Sequence, residues 1–122
     1  MWINGIVVSG HGVASGDAGD PRFPGGTLAL QLPIFARLGL DLDGLYHGTL
    51  NVSVAPLVPR PQRALSTFRD VKWHPGCPVE DFSFFDIRIA AVEGEPVQAY
   101  IYWPHPETKP EHFQDPHVVE IL

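Results

Sequence analysis

From His47 the chain reads His-Gly-Thr-Leu-Asn-Val-Ser-Val, a turn followed by strict alternation of polar and apolar side chains, and no other stretch narrows the fold as much. Period two marks a strand with one face in a core. Thr49, Asn51 and Ser53 share one face, and Leu50, Val52 and Val54 share the other. The apolar set is expected to be buried, and the polar set offers two uncharged oxygens one pleat apart. Mg²⁺ favours hard oxygens and keeps waters while bound phosphates supply negative charge, so a Thr/Asn pair suits a metal that arrives with a nucleotide. Read alone, the same residues also describe a plain strand leaving a turn, with Asn51 hydrogen-bonded to neighbouring backbone.

The rest of the chain supplies further strands separated by Gly and Pro punctuation. Residues 2–9 read as a strand of mixed exposure weighted to β-branched residues. Residues 81–92 form the next strongest strand, with Phe82, Phe84, Ile87 and Ile89 available to a core and a bulge expected at Phe85-Asp86. The turn Glu93-Gly94-Glu95-Pro96 returns the chain through residues 97–103 as a hairpin. Residues 64–73 alternate weakly, and residues 117–122 close the chain as a strand. The burial expected from these phases is Leu50, Val52, Phe84, Ile87, Ile89, Ile101 and Val119. One short helix is expected over residues 32–38, with Pro33 near its start and Gly39 at its end. The three prolines of residues 55–63 make that segment an extended connector.

Five or six evenly spaced strands with one helix predict an all-β, β-dominated single domain over residues 1–122, most simply a small six-stranded barrel. At 44% hydrophobic and 18% charged residues the chain should fold, and 122 residues suffice for one core. The net charge of −6, with no basic run, argues against nucleic acid or an anionic membrane surface as partner. Lone Cys77 cannot form an internal disulfide, and no basic n-region or long apolar run is seen, so a cytoplasmic protein is expected.

Candidate chemistry is concentrated in two places, the polar face of residues 49–53 and the glycine-rich stretch after the first strand. Gly10-His11-Gly12-Val13-Ala14-Ser15 is a run of small residues whose free N–H groups can form a nest for an anion. No Walker lysine follows it. The six histidines lack the spacing of a metal site, and no Gly-x-Ser-x-Gly elbow marks a serine nucleophile.

The order of these motifs resembles the archaeal-type CTP-dependent riboflavin kinases, which are cradle-loop barrels. Gly5-Ile6-Val7-Val8-Ser9-Gly10-His11-Gly12 is similar to that family's first strand and glycine loop. Residues 34–40 resemble the helix before its signature, Gly48-Thr49-Leu50-Asn51 is the signature tetrapeptide, and residues 104–122 resemble the late loop and last strand. The resemblance implies transfer of the γ-phosphate of CTP to riboflavin, giving FMN and CDP with Mg²⁺ as cofactor. It implies that Gly10, His11, Gly12, Val13, Ala14 and Ser15 hold the nucleotide and that Thr49 and Asn51 are the metal ligands. Thr108 and Glu120 would then lie at the flavin, with Glu120 orienting the acceptor hydroxyl or taking its proton.

Two departures accompany the match. The family continues its loop as Gly-x-Gly-Glu-Gly, where this chain has Gly10-His11-Gly12-Val13-Ala14, and the chain ends at Leu122, where the family has a further segment. That shortening implies an unpaired strand edge, covered by residues 55–63 or paired with a second copy in a homodimer. The alternative expectation is a non-catalytic barrel that binds flavin or nucleotide, or serves a structural role, without kinase activity.

Overall fold

The structure, a computed structural model, describes every residue except Met1, Asp43, Pro61, Glu111 and His112. Its centre is a long hairpin. Strand β4 (Glu80–Ile89) pairs antiparallel with β5 (Val97–Pro104), in unbroken register from Phe82↔Pro104 to Ile89↔Val97. The turn between them closes through the Gly94 N–H donating to the Ala91 carbonyl. Phe82 and Phe84 alternate on one face of β4, and with Tyr102 across the hairpin they form an aromatic floor. The expected bulge at Phe85-Asp86 is absent. Ile87 and Ile89 therefore lie on the face opposite Phe82 and Phe84, in phase with Phe85. The ladder is irregular instead between Phe68 and Val71 of β3 (Ser66–Val71), opposite β4, where Asp70 takes φ +54°.

The remaining strands extend this hairpin into one antiparallel sheet of six, in the order β1-β2-β6-β5-β4-β3, where β1 is Ile6–Val8, β2 is Leu50–Ser53 and β6 is Val118–Ile121. The β-dominated class is as expected. The sheet is not closed into a barrel: β1 pairs with β2 alone, and β3 with β4 alone.

One helix, α1 (Thr27–Arg37), lies across the aromatic floor. Leu28, Leu32 and Phe35 recur at helical spacing and are buried, and the Phe35 ring meets Phe82, Phe84 and Phe68 at centroid distances of 5.1, 4.9 and 5.8 Å. The helix starts five residues earlier than expected. Its first N–H groups are satisfied from afar, Thr27 donating to the Val13 carbonyl (3.0 Å) and Leu28 to the Ala14 carbonyl (3.2 Å). Gly26 enters the helix at φ +87°, where a Cβ would run into the Ala14 carbonyl. Pro33 thus sits mid-helix, on the exposed side.

The burial expectation requires correction. Of the seven residues expected in the core only Phe84 is fully buried; Leu50 is 40% exposed, and Val52, Ile87, Ile89, Ile101 and Val119 are half-buried. The helix and the glycine loop cover just one face of an open sheet, and on β2 that covered face carries Asn51 rather than Leu50 and Val52. The core is instead assembled from Phe23, Leu28, Phe35, Trp73, Phe82, Phe84 and Tyr102 among others. Among the described residues, no helix is long and apolar enough to cross a membrane.

Candidate functional site

Strand register builds the site. Val8 pairs with Asn51, Asn51 with Glu120, Glu120 with Tyr102, Tyr102 with Phe84, and Phe84 with Ser66, a single row across all six strands. Directly opposed residues project to the same face of an antiparallel sheet, so Asn51, Glu120 and Tyr102 stand side by side on the face that the glycine loop and α1 cover. A cavity of about 430 Å³ remains between them, within the range of small-ligand sites. Its walls are residues 8–15, Thr49 and Asn51 of the β2 segment, Thr27 and Gln31 of α1, and the rings of Phe23, Trp73 and Tyr102. Glu80, Glu120 and Lys109 supply its charged groups, together with Asp17 and His11 at the loop.

The glycine loop reaches this cavity because its carbonyls are used elsewhere. Val13 and Ala14 give their carbonyl oxygens to the start of α1, while their own N–H groups meet no backbone acceptor among the described residues. The loop therefore occupies the helix N-terminus and presents its own amides beside the cavity. Gly10 is required at close range: a Cβ there would run into the Asn51 side chain. His11 Nε2 lies 3.1 Å from the Phe113 carbonyl, joining the loop to the segment before β6.

Inside the cavity the polar groups are linked. The Thr49 hydroxyl donates to Glu120 Oε1 (3.2 Å), and Asn51 Oδ1 accepts from Gln114 Nε2 (2.8 Å). Burial pushes the Glu120 carboxyl above its ordinary value of 4.5, against the opposing pull of Lys109, the Thr49 hydroxyl and His11. Burial also holds the Tyr102 phenol well above its usual range, and Glu120 and Glu80 push it further the same way. Tyr102 is therefore a neutral donor, and its hydroxyl bonds Gln31 Oε1 at 2.5 Å. Trp73 Nε1 donates to Glu80 Oε2 (2.9 Å) in the same buried end.

Every residue expected at the nucleotide or metal lines this one cavity, Gly10, His11, Gly12, Val13, Ala14, Ser15, Thr49 and Asn51, and so does Glu120, expected at the flavin. Thr108 does not. Its hydroxyl accepts the Asp81 N–H (2.9 Å) and donates to the His105 carbonyl (3.2 Å), holding the turn after β5, and its neighbour Lys109 faces the cavity instead. Gln31, Glu80, Trp73 and Tyr102 were not singled out from the sequence. A signal for Gln31 existed, since it falls at a core position of the Leu28/Leu32/Phe35 stripe. The pairing of Asn51 with Glu120 had none, because it depends on sheet register between segments far apart in sequence.

A second, more apolar cavity of about 250 Å³ adjoins the first and shares Tyr102, Pro104, Lys109 and Glu120 with it. Ile101, Trp103, Phe113, Val118 and Val119 supply its apolar walls, with Val58 and Pro59 of the connector.

A hard cation fits the first cavity only with help from its ligand. Thr49 Oγ1 and Glu120 Oε1 are 3.2 Å apart and Asn51 lies opposite Glu120, a set of oxygen donors with one carboxylate. Among the described residues no group of three or more His, Cys, Asp or Glu side chains is arranged to hold a metal by itself. Such a donor set suits Mg²⁺ carried on phosphates. No family model, curated protein or solved structure matches this chain.

Proposed function

We propose that this chain is a Mg²⁺-dependent phosphotransferase of the riboflavin-kinase kind, converting CTP or another nucleoside triphosphate and riboflavin to the diphosphate and FMN. The supporting observation is that the glycine loop, Thr49, Asn51 and Glu120, distant in sequence, line one cavity. The amides of Val13 and Ala14 receive the phosphates, and Thr49 and Asn51 offer oxygens to the cation. When bound, Mg²⁺ neutralises phosphate charge. Phosphoryl transfer asks mainly for this positioning and neutralisation.

Glu120 stands where the two cavities meet, so an acceptor whose planar ring occupies the apolar second cavity brings its hydroxyl to the carboxylate. Burial makes Glu120 a stronger base than an ordinary carboxylate. The acceptor oxygen bonds to the γ-phosphorus, its proton passes to Glu120, and the bridging oxygen leaves with the nucleoside diphosphate. Lys109 faces both cavities and adds positive charge at that junction. A cytoplasmic setting follows from the nucleotide substrate.

A second reading has its own support: Thr49 and Asn51 already spend their polar groups on Glu120 and Gln114, as a binding domain without turnover would. Chromatographic detection of FMN from riboflavin with CTP or ATP, alongside calorimetry with and without Mg²⁺, separates the two. The kinase reading expects FMN, and Thr49→Val should lower both its formation and the Mg²⁺-dependent part of nucleotide affinity about tenfold or more. Ligand binding without FMN selects the second reading. A wild type that binds no nucleotide in Mg²⁺ retires the kinase.

A further inference from the structure

The buried end of the first cavity contains an unmet hydrogen-bond donor. Gln31 is 2% exposed, on a helix face otherwise made of Leu28, Leu32 and Phe35. Its Oε1 accepts the Tyr102 hydroxyl at 2.5 Å, while its Nε2 donates to no described residue, although the side chain lines the cavity. A primary amide carries two N–H donors on that nitrogen, and leaving them unpaired in a protein interior is costly. The position is therefore built for an acceptor that comes from outside the chain.

The surroundings restrict what that acceptor belongs to. Glu80 and Glu120 both line this cavity and are close enough to push the Tyr102 phenol upward, so a further anion is disfavoured there and phosphates belong at the loop amides. The Phe23 and Trp73 rings, 5.2 Å apart at 47°, and Tyr102 wall the same end. An uncharged, flat group carrying a carbonyl or ring nitrogen meets all of these conditions.

We infer that Gln31 sets base preference, donating its Nε2 to a carbonyl or ring nitrogen of the nucleotide's base while the phosphates lie at the glycine loop. This deepens the phosphotransferase reading and rests on it for the placement of the phosphates. Tyr102 positions the amide: its hydroxyl donates to Oε1, and with that oxygen engaged Nε2 is left for another acceptor.

The test is calorimetry of wild type, Gln31→Leu and Gln31→Leu/Tyr102→Phe in Mg²⁺, against CTP, UTP, ATP, GTP, the four free nucleosides and inorganic tripolyphosphate. The double variant removes both hydrogen-bonding partners together, which spares the fold an orphaned phenol should the single variant fail to fold. Wild type should separate its best base from its worst by about tenfold or more, and either variant should shrink that to about threefold or less. Tripolyphosphate affinity should not change. Equal affinity of the wild type for all four nucleotides overturns the assignment, because a water at Gln31 would then suffice, and so does a preference that survives in the variants. Nucleosides bound with a Gln31-dependent preference, with tripolyphosphate and nucleotides rejected, would remove the phosphotransferase reading and leave Gln31 as the base reader. Failure of every nucleoside and nucleotide to bind removes both.

Discussion

Glu120 is opposed to Asn51 on one side and Tyr102 on the other, and the same burial that raises its pKa makes its charge a cost to the fold. The unfolded chain releases this proton near 4.5, the folded protein only at higher pH. Its contribution to stability is therefore complete below the unfolded value and lost as pH rises through the folded one. Glu120→Gln keeps the shape and an oxygen to accept from Thr49. It should be more stable than wild type at pH 8, and no more stable at pH 4. Thermal melts at pH 4, 6 and 8 check this, and a stability gap that stays constant with pH would contradict it. Gly26→Ala belongs to the same scale. At φ +87°, with the Ala14 carbonyl where a Cβ would go and Gly16 N 2.6 Å from it, the change should cost about 2–3 kcal/mol in denaturant melts. A loss below 0.5 kcal/mol would mean that the loop is not docked on the helix. Thr49 and Asn51 stood out by residue type, as polar groups on one face of a strand, and Glu120 only through the family resemblance; all three line one cavity. Thr108, also carried over from the resemblance, follows a proline turn with backbone partners within reach, and it takes them.

At the scale of elements, alternation announced β2, but the face it would bury depends on what covers the sheet. Alternation alone favours the apolar face. The cover is the glycine loop and α1, and they lie over Asn51, so Leu50 meets solvent. The helix start was equally out of reach of local reading, because its cap consists of two carbonyls thirteen or more residues upstream. The pairing of the aromatic hairpin was readable, since continuous strand residues and one Glu-Gly turn settle it, but its phase was not: the ladder runs through Phe85 and Asp86 without the expected bulge, which puts Ile87 and Ile89 on the face away from Phe82 and Phe84. Its outer face has a polar staple that sequence does not reveal: Thr67 Oγ1 lies 2.8 Å from Ser83 Oγ, Ser83 Oγ 2.6 Å from His105 Nε2, and His105 Nδ1 3.1 Å from Glu107 Oε1. This chain ties β3 and β4 to the turn after β5. Neither cavity includes His105, so His105→Ala should lower stability by about 1–2 kcal/mol while leaving ligand affinities in both cavities unchanged. Chemical denaturation and calorimetry on one preparation test the two halves, and a loss of nucleotide binding without a loss of stability would refute the structural role.

On the scale of the whole molecule, the open sheet leaves two edges, and they differ. β3 is the edge beside the core, with Val71 buried and Phe68 packed on Phe35 and Phe84. β1 is thin and apolar: Ile6 is 73% and Val7 63% exposed, and Trp2 and Ile3 just before it are also exposed. Within the proline-rich connector, Leu57 accepts from His117 beside β6, and Val58 and Pro59 line the second cavity. An exposed apolar edge strand without charges or proline is a template for pairing with another strand. The net charge of −6 works against association at low ionic strength, so pairing should strengthen as salt screens it. Light scattering of the wild type at about 100 μM protein should therefore give a mass rising from monomer toward dimer between roughly 20 mM and 200 mM salt, a window across which the Debye length falls from about 20 Å to below 10 Å. Val7 pairs with Val52 in β2, one residue out of phase with the Val8–Asn51 row, so a lysine there points away from the cavity while placing a charge on the edge. Val7→Lys should remain monomeric at both salt concentrations and bind ligands as the wild type does. A wild type that stays monomeric at high salt, or a Val7→Lys variant that still dimerises, would show that β1 is not the association edge.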